Sequence, residues 1–151
     1  MPEGQARMVD PRQPRFGQFL TGLTAVVAFV FHVPALFVAL TVIAGLGQLS
    51  PKTNLWRYAF LGFKRVAKLG PPRELEDAAP PRFAMTLAFV FFTLASVLYF
   101  VLGFETAAWV IDVMIIGLGF LGAAGFCVGC EVYLLGKRML ARRASAVRAE
   151  A

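Results

Sequence analysis

From Phe16 to Leu49 the chain carries no Lys, Arg, Asp or Glu. As one helix, at ~1.5 Å per residue, that run would extend ~50 Å, well beyond a ~30 Å hydrocarbon core. His32-Val33-Pro34 stands at its middle, and Pro disfavours helix both at its own position and at the one before it. The pattern predicts two short spans, Phe16 to Phe31 and Ala35 to Leu49, joined by a tight hairpin and ended by Ser50-Pro51. A third uncharged run covers Phe83 to Phe104, and Glu105-Thr106 makes a short turn. The fourth run, Ala107 to Leu135, contains only Asp112 near its start and Glu131 near its end. Lys137, Arg138, Arg142 and Arg143 close it.

The segment Thr53 to Leu69 has a different rhythm. On a helical wheel Leu55, Trp56, Ala59, Phe60, Phe63, Val66 and Ala67 fall on one side, opposite Arg57, Lys64, Arg65 and Lys68. An aromatic apolar face backed by a basic one suits a helix lying in the interface of an anionic leaflet. Gly70-Pro71-Pro72 stops it, and an acidic patch follows at Glu74, Glu76 and Asp77.

Composition strengthens the membrane reading. Of 151 residues 58% are hydrophobic and only 16% charged, and 15 are Phe, more apolar than soluble domains of this length. The net charge of +6 would suggest nucleic acid, but the basic residues flank apolar runs, so that class is set aside. Three Lys/Arg precede the first span (Arg7, Arg12, Arg15), seven lie in the central loop and five follow the fourth span, accounting for all 15. With four spans every one falls on the same side, and the positive-inside rule makes that side cytoplasmic. Three spans would split them. No cleavable signal is expected, because Met1 to Pro14 is polar and Pro-rich and the run after Arg15 exceeds a signal's apolar core.

A repeat divides the chain. Asp10-Pro-Arg-Gln-Pro-Arg-Phe16 returns, 67 residues on, as Asp77-Ala-Ala-Pro-Pro-Arg-Phe83. Each copy introduces a helical hairpin, and two intervening spans give the copies the same orientation, a parallel duplication. Pro suits a first helical turn, Arg the headgroups and Phe the boundary. A sharper reading has Arg15 and Arg82 facing each other across a pseudo-two-fold axis to hold an anion.

Cys127-Val-Gly-Cys130 contains the only two cysteines. On a helix, spacing of three puts both sulfurs on one face, as in dithiol/disulfide pairs or half of a zinc site. Zinc needs two further ligands, and His32 is expected at the opposite end of the bundle, so neither metal nor cofactor is expected. Glu131 follows directly and is placed to accept a thiol proton; an ionisable residue at this depth suggests function. The pair is expected near the cytoplasmic boundary, where thiols are kept reduced, which favours a reversible thiol or persulfide over a structural disulfide. Gly117, Gly119, Gly122, Gly125 and Gly129 give small-xxx-small spacings that suit tight helix packing. Asp112, about a turn below the outer surface, reads as a snorkelling or capping acid, or as part of a proton or ion path. His32 reads as an interfacial residue.

Val9-Asp-Pro-Arg, Pro81-Arg-Phe-Ala84 and above all Phe126-Cys-Val-Gly-Cys-Glu-Val-Tyr133 resemble the bacterial membrane family known as domain of unknown function 4395, over roughly Val9 to Leu135. Met85 stands where the family pattern leads one to expect a polar residue such as Gln. The resemblance implies a four-span bundle with a CxxC near the end of the last helix. It also implies thiol or sulfane-sulfur chemistry, through gene neighbours of thioredoxin-like or rhodanese-like type.

The expected architecture is all-α: one membrane domain over 1–151, a four-transmembrane-helix bundle of two parallel-repeat hairpins (16–49 and 83–135). A cytoplasmic loop (50–82) carries the interfacial helix 53–69, and tails 1–15 and 136–151 lie on the same side of a bacterial plasma membrane. The leading functional expectation is thiol–disulfide exchange or sulfane-sulfur transfer by Cys127, Cys130 and Glu131, with a thioredoxin-like or rhodanese-like partner. The bilayer and a second copy of the chain are further expected partners. The alternatives are a small transporter or channel component for a sulfur-containing anion, drawn in by Arg15 and Arg82, and a non-catalytic membrane anchor.

Overall fold

In a computed structural model of the chain, residues 8–50, 52–72 and 74–149 are described, with side chains through Arg142. Arg7, Arg73 and the side chains of Arg143 and Arg148, which enter the charge argument, lie outside the described residues. Six helices follow in order: α1 (Arg12–Phe31), α2 (Ala35–Leu49), α3 (Leu55–Val66), α4 (Ala79–Phe100), α5 (Glu105–Ala123) and α6 (Val128–Ala149). Strands β1 (Met8–Val9) and β2 (Glu76–Asp77) form a small antiparallel ribbon, with Met8 opposite Asp77 and Val9 opposite Glu76.

Among the described residues three helices, α1, α4 and α5, are long and apolar enough to cross a membrane; α2 is apolar but has 15 residues. At ~1.5 Å per residue that is ~22 Å. Their outer faces remain unburied: Val30, Phe31, Val90, Phe100, Val101 and Val110 are all exposed. A water-soluble fold does not leave such a belt uncovered.

The turn at His32-Pro34 forms as expected. His32 takes the left-handed conformation (φ 51°) that caps α1, and Pro34 precedes the first residue of α2. The fourth apolar run differs from the expectation. It is two helices, not one span from Ala107 to Leu135: α5 ends at Ala123, Gly125 adopts φ +107°, and α6 begins at Val128. A Cβ is strained at that φ, so glycine permits the break. Past it the basic tail is helix, continuing α6 to Ala149.

The sequence repeat is a structural one. The ribbon pairs the two copies directly, and each copy caps its helix alike: Asp10 Oδ1 accepts from Arg12 N, and Asp77 Oδ1 from Ala79 N, both at 3.0 Å. α1 packs chiefly on α5 and α2 on α4, so each half's first helix embraces the other half's second. α3 folds back on α1, and α6 on α4. Aromatic contacts repeat too: Phe16 meets Phe60 of α3 with ring centroids 5.8 Å apart, and Phe83 meets Tyr133 of α6 at 5.7 Å. The repeating unit is therefore three helices, with α3 and α6 as counterparts. The core is two small clusters, Ala28, Phe37, Ala95 and Ala108 in one and Leu40, Phe92 and Ile115 in the other.

Candidate dithiol site

Position 127 is an N-cap. The Cys127 carbonyl accepts from Glu131 N at 3.0 Å, opening the α6 ladder, while its Sγ accepts from Cys130 N at 3.4 Å. Asn54 does the same work for α3, its side-chain oxygen accepting from Arg57 N at 3.2 Å. Sulfur thus stands where the other half has a carbonyl oxygen, and a thiolate accepts more strongly than a thiol. The positive end of the α6 dipole adds to the preference.

A second donor comes from α1. Gln18 Nε2 lies 3.0 Å from Cys127 Sγ, the two residues being 109 apart in sequence. Gly122 makes room for it, since a Cβ there would overlap the Gln18 amide. Two helix contacts set this distance. Gly119 packs on Gly22 so closely that a Cβ at 119 would stand 3.0 Å from the Gly22 Cα. Gly129 lies on Ala84 of α4, where a Cβ would stand 2.9 Å from the alanine Cβ. The glycines of 117–129 therefore serve packing within the chain, except Gly125, which permits the break, and Gly117, which faces open space.

The thiols diverge in acidity. A hydrogen bond from the Cys130 side chain, helped by the Cys130 and Gly129 backbone and by Gln18, outweighs burial and brings Cys127 down to about 6. Cys130 moves up: its bond to Cys127 holds its proton, burial adds to this, and the charges of Cys127, Glu131 and Glu76 oppose a second anion. Both cysteines are free and half-buried. Cys127 is thus favoured as a thiolate, with a protonated Cys130 thiol beside it. The pair, expected within the fourth apolar run near its cytoplasmic end, stands in the break after α5 and the first turn of α6.

Glu131 is exposed, next to Cys130, and acts on it through charge. Arg15 lies near the break, its guanidinium carbon 3.7 Å from where a Gly125 Cβ would be, and lines an outer groove with Phe16, Phe19 and Phe60. Arg82 lines a different space, a cavity of about 690 Å³ between the two halves. The two arginines are not brought into one site. Asp112 does not snorkel: it is 0% exposed, with neither carboxylate oxygen hydrogen-bonded among the described residues. His32 stacks among Phe29 and Trp109. Among the described residues no cluster of three His, Cys, Asp or Glu is close enough to hold a metal.

Sequence reasoning missed Gln18 and Glu76. A signal for Gln18 existed: Met85 is its counterpart at the repeat offset, and Met85 likewise lies against a glycine, Gly47, which the other cap, Asn54, also approaches.

Fold and site together define a helical protein with membrane-type apolar helices and a dithiol at the start of a helix outside them. The chain belongs to the DUF4395 family: the model of this domain of unknown function matches residues 9–138. No match to the chain was found among the curated proteins or among the solved structures.

Proposed function

We propose that the protein is a membrane dithiol that exchanges with disulfides or carries sulfane sulfur, with Cys127 as nucleophile and Cys130 as resolving thiol. One observation carries this: Cys127 Sγ collects N–H donors from its own helix start and from Gln18 of α1, a cradle with no purpose for a neutral structural thiol. Cys127 thiolate attacks a partner disulfide, the partner's S–S bond breaks, and one partner sulfur leaves as a thiolate that takes a proton from water. Cys130 then loses its proton to the Glu131 carboxylate and attacks the Cys127 sulfur of the mixed disulfide. The second partner sulfur leaves as a thiolate that takes the proton from Glu131, so the partner departs as a dithiol and the Cys127–Cys130 disulfide remains. Two electrons pass from the protein to the partner, with one proton from water and one from Cys130 by way of Glu131.

The charge distribution supports four spans, α1, α2, α4 and α5, with α3, α6 and both termini on the cytoplasmic side of a plasma membrane. The dithiol then faces cytosolic partners of thioredoxin-like or rhodanese-like chemistry. In membranes, Cys130→Ser should accumulate a mixed disulfide through Cys127, and Cys127→Ser should accumulate none. Absence of any adduct in Cys130→Ser, with the double Ser variant retaining all phenotype, sinks the reading. An impermeant maleimide should reach the cysteines only from the inner face; labelling from outside overturns the orientation.

A further inference from the structure

Thiol exchange leaves unused the cavity between the halves. At about 690 Å³ it falls within the range of small-molecule sites. The ribbon residues Met8, Val9 and Asp10 border one part of it, and the first turns of α1 and α4 supply Pro14 and Pro81. Three of its properties bear on one ligand class.

The first is position. Gln18 lines the cavity and also donates to Cys127 Sγ at 3.0 Å, so this wall residue borders both the cavity and the nucleophile. The second is charge. Arg82 is in the wall, and the acid among the lining residues, Asp10, is paired with Lys64 of α3 at 3.6 Å. Asn54, the cap of α3, also lines it, adding the positive end of a helix. The cavity favours an anion. The third is its soft apolar surface. Trp56, Met85, Met8 and the prolines suit a sulfur-containing chain, because divalent sulfur packs well against aromatic rings.

We propose that this cavity binds a small disulfide with anionic ends and delivers it to Cys127. The inference rests on Cys127 being the exchanging nucleophile and names the substrate class of that same thiol. The bound disulfide's S–S bond breaks as the Cys127 sulfur bonds to one half, and the other half leaves as a thiolate that is protonated by water. Cys130 gives its proton to Glu131 and displaces the second half from Cys127 as a thiolate, which takes that proton from Glu131. One small disulfide becomes two small thiols, and the protein dithiol becomes a disulfide.

The test uses three probes with one disulfide core and different ends: 3,3′-dithiodipropionate (two carboxylates), 2-hydroxyethyl disulfide (neutral) and cystamine (two ammoniums). Their reaction with Cys127 of the full-length, detergent-solubilised protein is followed by intact mass. The anionic probe should react fastest, with a rate that saturates as its concentration rises. Arg82→Gln should slow that probe by about tenfold or more, the scale of one hydrogen bond to a charged group, and should leave cystamine unslowed. Arg138→Gln, which removes the same charge away from the cavity, should preserve the order. An order unchanged by Arg82→Gln, equal effects of the two Arg variants, or a rate linear in the anionic probe overturns the cavity assignment. Reaction of all three at equal rates overturns it too while leaving thiol exchange standing. Failure of all three to modify Cys127 sinks thiol exchange itself.

Discussion

Replacing Gln18 by Met tests the thiolate cradle with the least disturbance, because the chain already places Met at the equivalent position 85, against Gly47. The change deletes the 3.0 Å N–H···S contact and keeps a side chain of similar length beside Gly122. A hydrogen bond to a charged group contributes about 1.5–3 kcal/mol, and at ~1.4 kcal/mol per unit its loss raises a thiol by ~1–2 units. Cys127, held at about 6, should therefore titrate with a midpoint of ~7–8 in the variant. The sign is set by the depression: the thiolate predominates above the midpoint and is lost as pH falls through it. At pH 6.5 its population should drop from about three-quarters to ~3–25%. The remaining thiolate is more basic, and a Brønsted slope of ~0.4–0.5 returns ~3–10-fold in intrinsic reactivity. The two effects nearly cancel near neutrality, so one rate at one pH is uninformative. Rates with neutral 2-hydroxyethyl disulfide, measured from pH 4.5 to 9.5 by intact mass, should show the variant slower in acid, faster in base and displaced in midpoint. A midpoint within ~0.3 units of the parent refutes the claim that Gln18 stabilises the anion, since such a shift is below ~0.4 kcal/mol.

Cys130→Ala, which removes the largest stabilising contact of Cys127, should raise the same midpoint further than Gln18→Met. Cys130→Ser keeps a donor and should fall between Ala and the parent, and equal midpoints for Ala and Ser would remove the side-chain hydrogen bond from the account. Gly129→Val should lower thermal stability in detergent by about 1–3 kcal/mol through overpacking, because its Cβ meets Ala84 at 2.9 Å. Gly117→Ala, which faces open space, is the matched control, and equal melting of the two would deny the α4–α6 contact. Asp112→Leu should leave stability unchanged or raise it by about 1–3 kcal/mol, the cost of an unbonded buried polar group. A marked loss would mean that the carboxyl holds a partner.

What could be read from the sequence was what Pro and charge punctuate. Pro34 marks the first turn so strongly that α2 runs from Ala35 to Leu49 as expected. The spacing of Leu55, Trp56, Phe60 and Phe63 announces α3, although the face it makes is shared: Phe60 is buried against α1, while Leu55, Phe63 and Val66 stay exposed. The break at Ala124–Cys127 escaped because apolar residues continue through it, and nothing local distinguishes a helical Gly125 from one at positive φ. That single error placed the cysteines inside a span instead of at a helix start, and so hid the source of their acidity. Gln18 and Glu76 escaped for another reason. Their nearness to the dithiol comes from packing between helices far apart in the chain and from the ribbon that ties the two halves, and a neutral amide in an apolar run carries no motif.

The correspondence of Asn54 with Cys127, and of Met85 with Gln18, has a consequence for descent. Two like units, each lending its first helix to the other's second, are what a gene doubling produces from an ancestor that worked as a pair of identical subunits. Such an ancestor had to carry the same residues at both ends of its axis. Once the two were joined in one polypeptide that obligation lapsed: one end could keep sulfur and an amide, the other could take oxygen and a thioether. The inequality between the halves is one that no symmetric homodimer can carry.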